Sequence, residues 1–201
     1  VKKKKKQYSD DFLIREDKNP NTKGASLLGF GVDHDASKKL LTECERGGVE
    51  LLIIFDHDLE TGFEAEFVDS ALKGAATVIF VGSNANTTSA RADFILPACT
   101  YFEKDGTFTN YAGRVQKANK AIEPLGDSLP TWTILRNLSR KLGKSLVYFE
   151  AEDVFKDIAK SVAVFSGMSY DTIGDHGMVV QENGKLAGKG KKAVTEEEVV
   201  A

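Results

Sequence analysis

Two short apolar runs, Val49 to Phe55 and Thr77 to Val81, flank a segment of helical periodicity, Phe63 to Leu72. That arrangement leaves few folds open. Neither run alternates as a half-solvated strand would, so both read as strands covered on two faces, the pattern of parallel strands joined by a helix. A third stretch, Asp93-Phe94-Ile95-Leu96-Pro97, ends at a proline that cannot donate to a ladder. Upstream, Asp35 can cap a helix whose residues Ala36, Leu40, Leu41 and Cys44 share a face, and Gly47-Gly48 supplies a left-handed end. The expected fold class is α/β: an open, mainly parallel sheet flanked by helices, followed by a long structured loop and a helical C-terminal part.

The loop is expected over Cys99 to Gln116, where Asp105-Gly106, Asn110 and Gly113 are turn signals and only Thr107 to Thr109 reads as extended. Beyond it, Asp127 or Ser128 can cap a helix with Pro130 near its first turn. Trp132, Leu135, Leu138 and Leu142 form that helix's apolar stripe, and Gly143 ends it. Val154, Phe155, Ile158, Val162 and Phe165 share the face of a second helix closed by Gly167. The domain expectation is a flexible basic lead-in over 1–22, one α/β domain over 23–180, and a flexible Gly-, Lys- and Glu-rich tail over 181–201.

Composition excludes several function classes. A formal net charge of -3 argues against a nucleic-acid footprint, since the run Lys2 to Lys6 is the one dense basic patch. The two cysteines, Cys44 and Cys99, are too few and too far apart for a four-thiolate cluster or a zinc site, and read as free buried thiols. No apolar run approaches the roughly 20 residues that cross a bilayer, and no signal peptide opens the sequence. The expectation is a cytoplasmic protein; the resemblance described below further implies a place peripheral to the inner membrane through a complex. Because the chain opens on Val1, an upstream portion is expected.

Asp33-His34-Asp35 and Asp56-His57-Asp58 carry metal-ligating residue types, but each triplet stands beside a predicted element end, where aspartate caps backbone donors. Gly29-Phe30-Gly31 lacks the third glycine and the preceding strand of a dinucleotide loop. There is no nucleophile elbow and no phosphate-cradling Walker loop. No catalytic, cofactor-binding or metal-ligating residue is assigned from these features.

The most specific stretch is Ala92-Asp93-Phe94-Ile95-Leu96-Pro97-Ala98, followed by Glu103-Lys104-Asp105-Gly106-Thr107-Phe108-Thr109-Asn110-Tyr111-Ala112-Gly113-Arg114-Val115-Gln116. It closely resembles the signature of the molybdopterin oxidoreductases, a superfamily that includes formate dehydrogenases and the large iron-sulfur subunit of respiratory NADH:quinone oxidoreductase. The residues that carry it are Asp93, Pro97, Glu103, Gly106, Thr107, Asn110, Gly113, Arg114 and Gln116. They are read as a structural clasp, in which the Arg114 guanidinium can tie the loop to a carboxylate or to several carbonyls.

Within the superfamily, catalytic relatives carry a Gln-Asp pair where this chain has Gly82-Ser83, which removes a carboxylate suited to grip ribose or guanine. With no terminal barrel-like domain after Gln181, the resemblance then implies a non-catalytic scaffold segment of the NADH:quinone oxidoreductase subunit. Its partners would be the other subunits of that complex, and its iron-sulfur clusters would lie in a missing N-terminal part. The alternative is a segment that holds the guanosine end of molybdopterin guanine dinucleotide in a molybdenum or tungsten enzyme such as formate dehydrogenase.

Overall fold

A computed structural model describes residues 19–31 and 33–180. The expected tail over 181–201 lies outside the described residues, as does the expected lead-in apart from residues 19–22. In chain order the main elements are α1 (Thr22–Leu27), α2 (His34–Glu45), β1 (Leu52–Phe55), α3 (Ala65–Gly74), β2 (Val78–Gly82), β3 (Phe94–Pro97), β4 (Gly106–Thr109) and β5 (Arg114–Ala118). They continue with α4 (Thr131–Lys141), α5 (Ala151–Ser161), α6 (Tyr170–Ile173) and β6 (Met178–Val179). Among the described residues the chain divides into two compact units: 30–106 with 118–154, and 19–29 with 107–117 and 155–180.

The first unit is the α/β sheet that the apolar runs predict. β1 and β2 pair in parallel from Leu52↔Val78 to Phe55↔Val81, and β2 and β3 pair in parallel from Ile79↔Phe94 to Gly82↔Pro97. The strand order is β1-β2-β3. One core joins Leu41 and Cys44 of α2, Leu52 and Ile54 of β1, Val68, Ala71 and Leu72 of α3, and Val78 and Phe80 of β2. A second joins Val81, Ala98 and Ile134, with Ile53, Ile79, Leu96 and Leu138 packed against them. Burying a side chain such as Phe80 or Val68 contributes about 1.5–3 kcal/mol. β3 is the edge strand, and its start is open: Phe94 is 59% and Ile95 56% exposed, while Leu96 packs against the second core. Because Pro97 has no N–H, Ala98 takes over the donation to Gly82 O at 3.0 Å.

The helix ends differ from expectation by a few residues, for local reasons. Asp33, not Asp35, caps α2, its Oδ1 accepting from the N–H groups of Asp35 at 2.9 Å and Ala36 at 3.2 Å. Asp35 then sits in the first turn, where the helix dipole favours a carboxylate. The predicted single helix through Phe165 stops at Ser161, and a 3-10 turn over Ala163–Phe165 carries the last apolar residue into the core.

In the second unit, the sheet order is β4-β5-β6, and β5 pairs antiparallel with β6 through Arg114↔Val179 and Val115↔Met178. Its core is Val115, Phe155, Ala159, Phe165, Met168, Ile173 and Val180. The expected loop thus contains two short strands, β4 and the start of β5, joined by turns. Asn110 Oδ1 accepts from the N–H groups of Ala112 and Arg114, both at 3.0 Å, and Gly113 at φ 76° completes the reversal. The flanking residues are too polar to show strand periodicity. Among the described residues no helix is long and apolar enough to cross a membrane.

Gly74 marks the closest approach of α2 and α3. A Cβ there would lie 2.2 Å from Cys44 O and 2.8 Å from Glu45 Cα, both backbone atoms, whereas a Cβ on Gly106 meets nothing within 4 Å. Gly74→Ala is expected to destabilise the chain by about 1–3 kcal/mol despite its better helix propensity. Gly106→Ala should stay within about 0.5 kcal/mol of the parent. Urea unfolding with an unchanged slope reads both.

Candidate functional site

Parallel pairing sends the chain out of β1, β2 and β3 at the same end of the sheet, which is where open α/β sheets bind ligands. The segments that emerge there are Asp56-His57-Asp58, Ser83-Asn84-Ala85-Asn86 and Ala98-Cys99. Asp56 has φ 46° and is the non-glycine residue at positive φ among those described. The turn swings its carboxylate to β2, where Oδ1 accepts from Ser83 N at 2.7 Å and Ser83 Oγ at 3.2 Å. Oδ2 of Asp56 takes no hydrogen bond among the described residues, and the side chain is exposed.

Asp58 does the opposite. Its carboxylate accepts from the hydroxyls of Thr87 and Thr88, each at 2.9 Å to Oδ1, and from Glu60 N at 3.3 Å. Thr88 Oγ1 in turn accepts from Leu59 N at 2.9 Å. Burial alone would raise the Asp58 carboxyl, but these hydroxyls, with the Glu60 and Thr87 N–H groups, hold it below the usual carboxylate range. Arg91 adds an ion pair to Glu60 at 2.5 Å and one to Asp69 at 3.6 Å. The loops after β1 and β2 are thereby tied together, while Asp56 keeps one acceptor facing solvent.

The other triplet is structural on the same terms. Asp33 caps α2, and the His34 ring stacks on Phe63 at 4.7 Å, with Nε2 3.3 Å from Gly62 O. Among the described residues no group of three or more His, Cys, Asp or Glu is placed to hold a metal ion. Both cysteines are free and buried, and burial pushes the Cys44 thiol up. Gly29 follows α1 at φ 85° and opens no helix. A cavity of about 410 Å³ lies between β3 and α4, lined chiefly by Leu96, Pro97, Leu129, Ile134 and Leu138. None of the residues around Asp56 lines it.

The signature residues fall in both units. In the first, Asp93 Oδ2 accepts from Val78 N at 2.7 Å and fixes the start of β3 against β2, and Pro97 ends the pairing. The buried Glu103 accepts from Thr100 N at 2.7 Å, Thr100 Oγ1 at 2.9 Å and Leu125 N at 2.9 Å, and Gly106 opens β4. In the second, Thr107 lies in β4, Asn110 and Gly113 form the turn, and Gln116 lies exposed on β5. Arg114 Nη1 donates to the carbonyls of His176 at 3.1 Å and Gly177 at 3.2 Å.

Sequence reasoning passed over Asp56 and Ser83 as site residues. The available signal was an aspartate and a Gly-Ser pair, each immediately after a buried apolar run. Nothing in their spacing announces that the two meet.

Residues 20–141 match the molybdopterin oxidoreductase family. The chain is 35% identical over 130 residues to F420-dependent formate dehydrogenase 2 subunit alpha of Methanococcus maripaludis, covering 64% of this chain and 19% of that protein. It is 35% identical over 113 residues to F420-dependent formate dehydrogenase 1 subunit alpha of the same organism, covering 55% of this chain and 17% of that protein. Among solved structures, acetylene hydratase from Pelobacter acetylenicus shares the fold with a TM-score of 0.56 at 15% identity, over 67% of this chain and 19% of that one. The chain thus spans less than a fifth of the length of these relatives.

The Thr100 backbone N–H, followed by the Thr100 hydroxyl and Leu125 N–H, holds the Glu103 carboxyl below its ordinary value. A lowered folded-state pKa means the stabilisation is present above the unfolded value, about 4.3, and is lost as pH falls through the folded one. Glu103→Gln should therefore lower the urea midpoint at pH 7, and its gap from the parent should close below about pH 4. A constant gap would mean the charge is irrelevant. For Arg114, one nitrogen reaches both carbonyls, so a lysine can replace much of the contact. Arg114→Ala should cost about 1 kcal/mol and Arg114→Lys clearly less, compared by the same unfolding measurement.

Proposed function

This chain belongs to the molybdopterin oxidoreductase family, and from that premise we propose that it is a cofactor-holding segment of a formate-dehydrogenase-like oxidoreductase. The observation that carries the reading is the 35% identity to proteins named as formate dehydrogenase alpha subunits. It supports the guanosine-holding alternative better than the scaffold of NADH:quinone oxidoreductase.

The donor set at the carboxyl ends of the strands fits the guanosine end of a pterin guanine dinucleotide. A nucleoside presents N–H and hydroxyl donors, for which Asp56 Oδ2 is an open acceptor. The N–H groups of Asn84 and Ala85 donate to no protein acceptor among the described residues, and exposed backbone donors of this kind suit phosphate oxygens. The tie between Asp58, Thr87 and Thr88 keeps these groups in place before a ligand arrives. When bound, such a cofactor supplies the two-electron chemistry of formate oxidation. The residues of this chain bind and orient its nucleotide end and take no part in bond making.

A second reading rests on one observation, the Gly82-Ser83 pair in place of Gln-Asp. Under it the segment holds no cofactor and serves as a scaffold among the subunits of a respiratory NADH:quinone oxidoreductase, with iron-sulfur clusters outside this chain.

The test is cofactor analysis of the natively expressed full-length protein. Stoichiometric molybdenum or tungsten, together with GMP released by acid hydrolysis, is expected. Iron with neither guanine nucleotide nor the heavier metals would replace the first reading by the second.

A further inference from the structure

We propose that the open edge of β3, with the groove between β3 and α4, seats a further β-strand, supplied by an acidic and apolar segment of the parent protein outside these 201 residues. This docking role goes beyond the cofactor-holding reading and does not depend on it.

β3 lies at the edge of the sheet, and the strand position beside it is half filled. Ala98 pairs in parallel with Leu129 as an isolated bridge, Leu129 N donating to Pro97 O at 3.1 Å and Cys99 N to Leu129 O at 3.0 Å. Successive residues of a strand turn their amides to opposite sides. Because Pro97 turns its carbonyl outward to Leu129, Ile95, two residues earlier, faces the same way. Among the described residues nothing meets the N–H and C=O of Ile95 on that side. The fourth strand position is thus occupied beside the end of β3 and open beside its start.

The side chains there select the kind of element that fits. Phe94 and Ile95 point to opposite faces of the sheet, Phe94 to the α4 face with Ile79 and Ile95 to the α3 face with Phe80. Both are more than half exposed, at 59% and 56%. A helix or a lipid chain laid on one face would cover one of them. A strand in the plane of the sheet covers part of both and supplies backbone partners for Ile95.

On the α4 face such a strand meets the groove lined by Leu96, Leu129, Ile134 and Leu138. The same groove carries Arg140 and Lys141 against the carboxylate of Asp127, and these three side chains make no hydrogen bond or ion pair among the described residues. An acidic residue beside the apolar ones complements that excess of positive charge. A second copy of β3 fits poorly, since antiparallel pairing about Ile95 would set Asp93 of each strand against Pro97 of the other, where Leu129 already sits. The matched region makes up 19% of formate dehydrogenase 2 subunit alpha of Methanococcus maripaludis, so in such a relative most of the chain lies outside it and can donate a strand.

The test is amide exchange read by mass spectrometry on the 201-residue chain and on the natively expressed full-length protein, the latter also carrying the photo-cross-linker benzoylphenylalanine in place of Phe94. The Ile95 amide should exchange about a hundredfold more slowly in the full-length protein. The cross-link should reach a segment outside the 201 residues that holds apolar residues beside an aspartate or glutamate. In the full-length protein, Arg140→Gln combined with Lys141→Gln should speed exchange at Ile95 about fivefold or more and leave that at Phe80 unchanged. Equal exchange of Ile95 in the two proteins overturns the docking, and a cross-link without protection of Ile95 overturns the strand pairing. A cross-link to a second copy, or to residues 1–18 or 181–201, overturns the choice of donor. An unchanged rate in the double variant overturns its acidic character.

Discussion

The parallel pairing of β1 with β2 is the constraint on which the rest of the first unit depends. Parallel neighbours cannot be joined by a hairpin, so the chain must return along the sheet, and α3 is that return. Having returned, it packs on the face bearing Leu52, Ile54, Val78 and Phe80, and α2 joins it there. The approach is close enough that Gly74 cannot carry a side chain without displacing the backbone of α2. The same pairing forces Asp56, Ser83 and Ala98 to emerge on one side. The candidate site is therefore a consequence of strand direction, before any particular side chain is considered.

At that end, the two carboxylates of one triplet have opposite fates for a reason of geometry. Asp58 is the N-cap of a 3-10 helix over Leu59–Thr61, and the Thr87 and Thr88 hydroxyls and the Glu60 N–H converge on it. Its charge is compensated by dipoles, which lowers its pKa without any cationic partner. Asp56 meets the donors of a single residue, and they reach only one of its oxygens. An aspartate two positions from a structural one thus retains capacity for a ligand. Residue type alone does not separate them.

Much of the fold was legible because it follows from apolar periodicity. The runs at Val49 and Thr77 report buried strands, and Leu41 and Cys44 report the buried face of α2, whereas the stripe expected on α4 is displaced: Ile134 is buried there while Leu135 and Leu142 are exposed. β4 was legible as the extended run Thr107 to Thr109, but β5 was not legible as a strand, since Arg-Val-Gln-Lys-Ala shows no clean alternation and its place depends on the Asn110 amide and the left-handed Gly113. The exposure of Phe94 and Ile95 was not foreseen either. An apolar strand signals that its faces are suited to burial, and cannot specify what covers them. The meeting of Asp56 with Ser83, 27 residues apart, was illegible for a third reason. It depends on a backbone angle that no sequence pattern encodes when the residue is not glycine.

The same distinction explains why the signature stretch identifies the family yet does not choose among its members. Asp93 joins the starts of two strands, Glu103 gathers the donors of a turn, Asn110 and Gly113 make a reversal, and Arg114 bridges to two carbonyls. Apart from the Thr100 hydroxyl on Glu103, each of these contacts is made to backbone, so each constrains the path of the chain. Any protein with this path needs them, whether or not it carries a cofactor. Asp56 differs from them: its carboxylate is exposed, and its hydrogen bonds from Ser83 reach one oxygen only. At the end of β2, where this chain has Gly82-Ser83, the carboxylate that stands beside the strand is Asp56, carried there from β1 by its left-handed backbone.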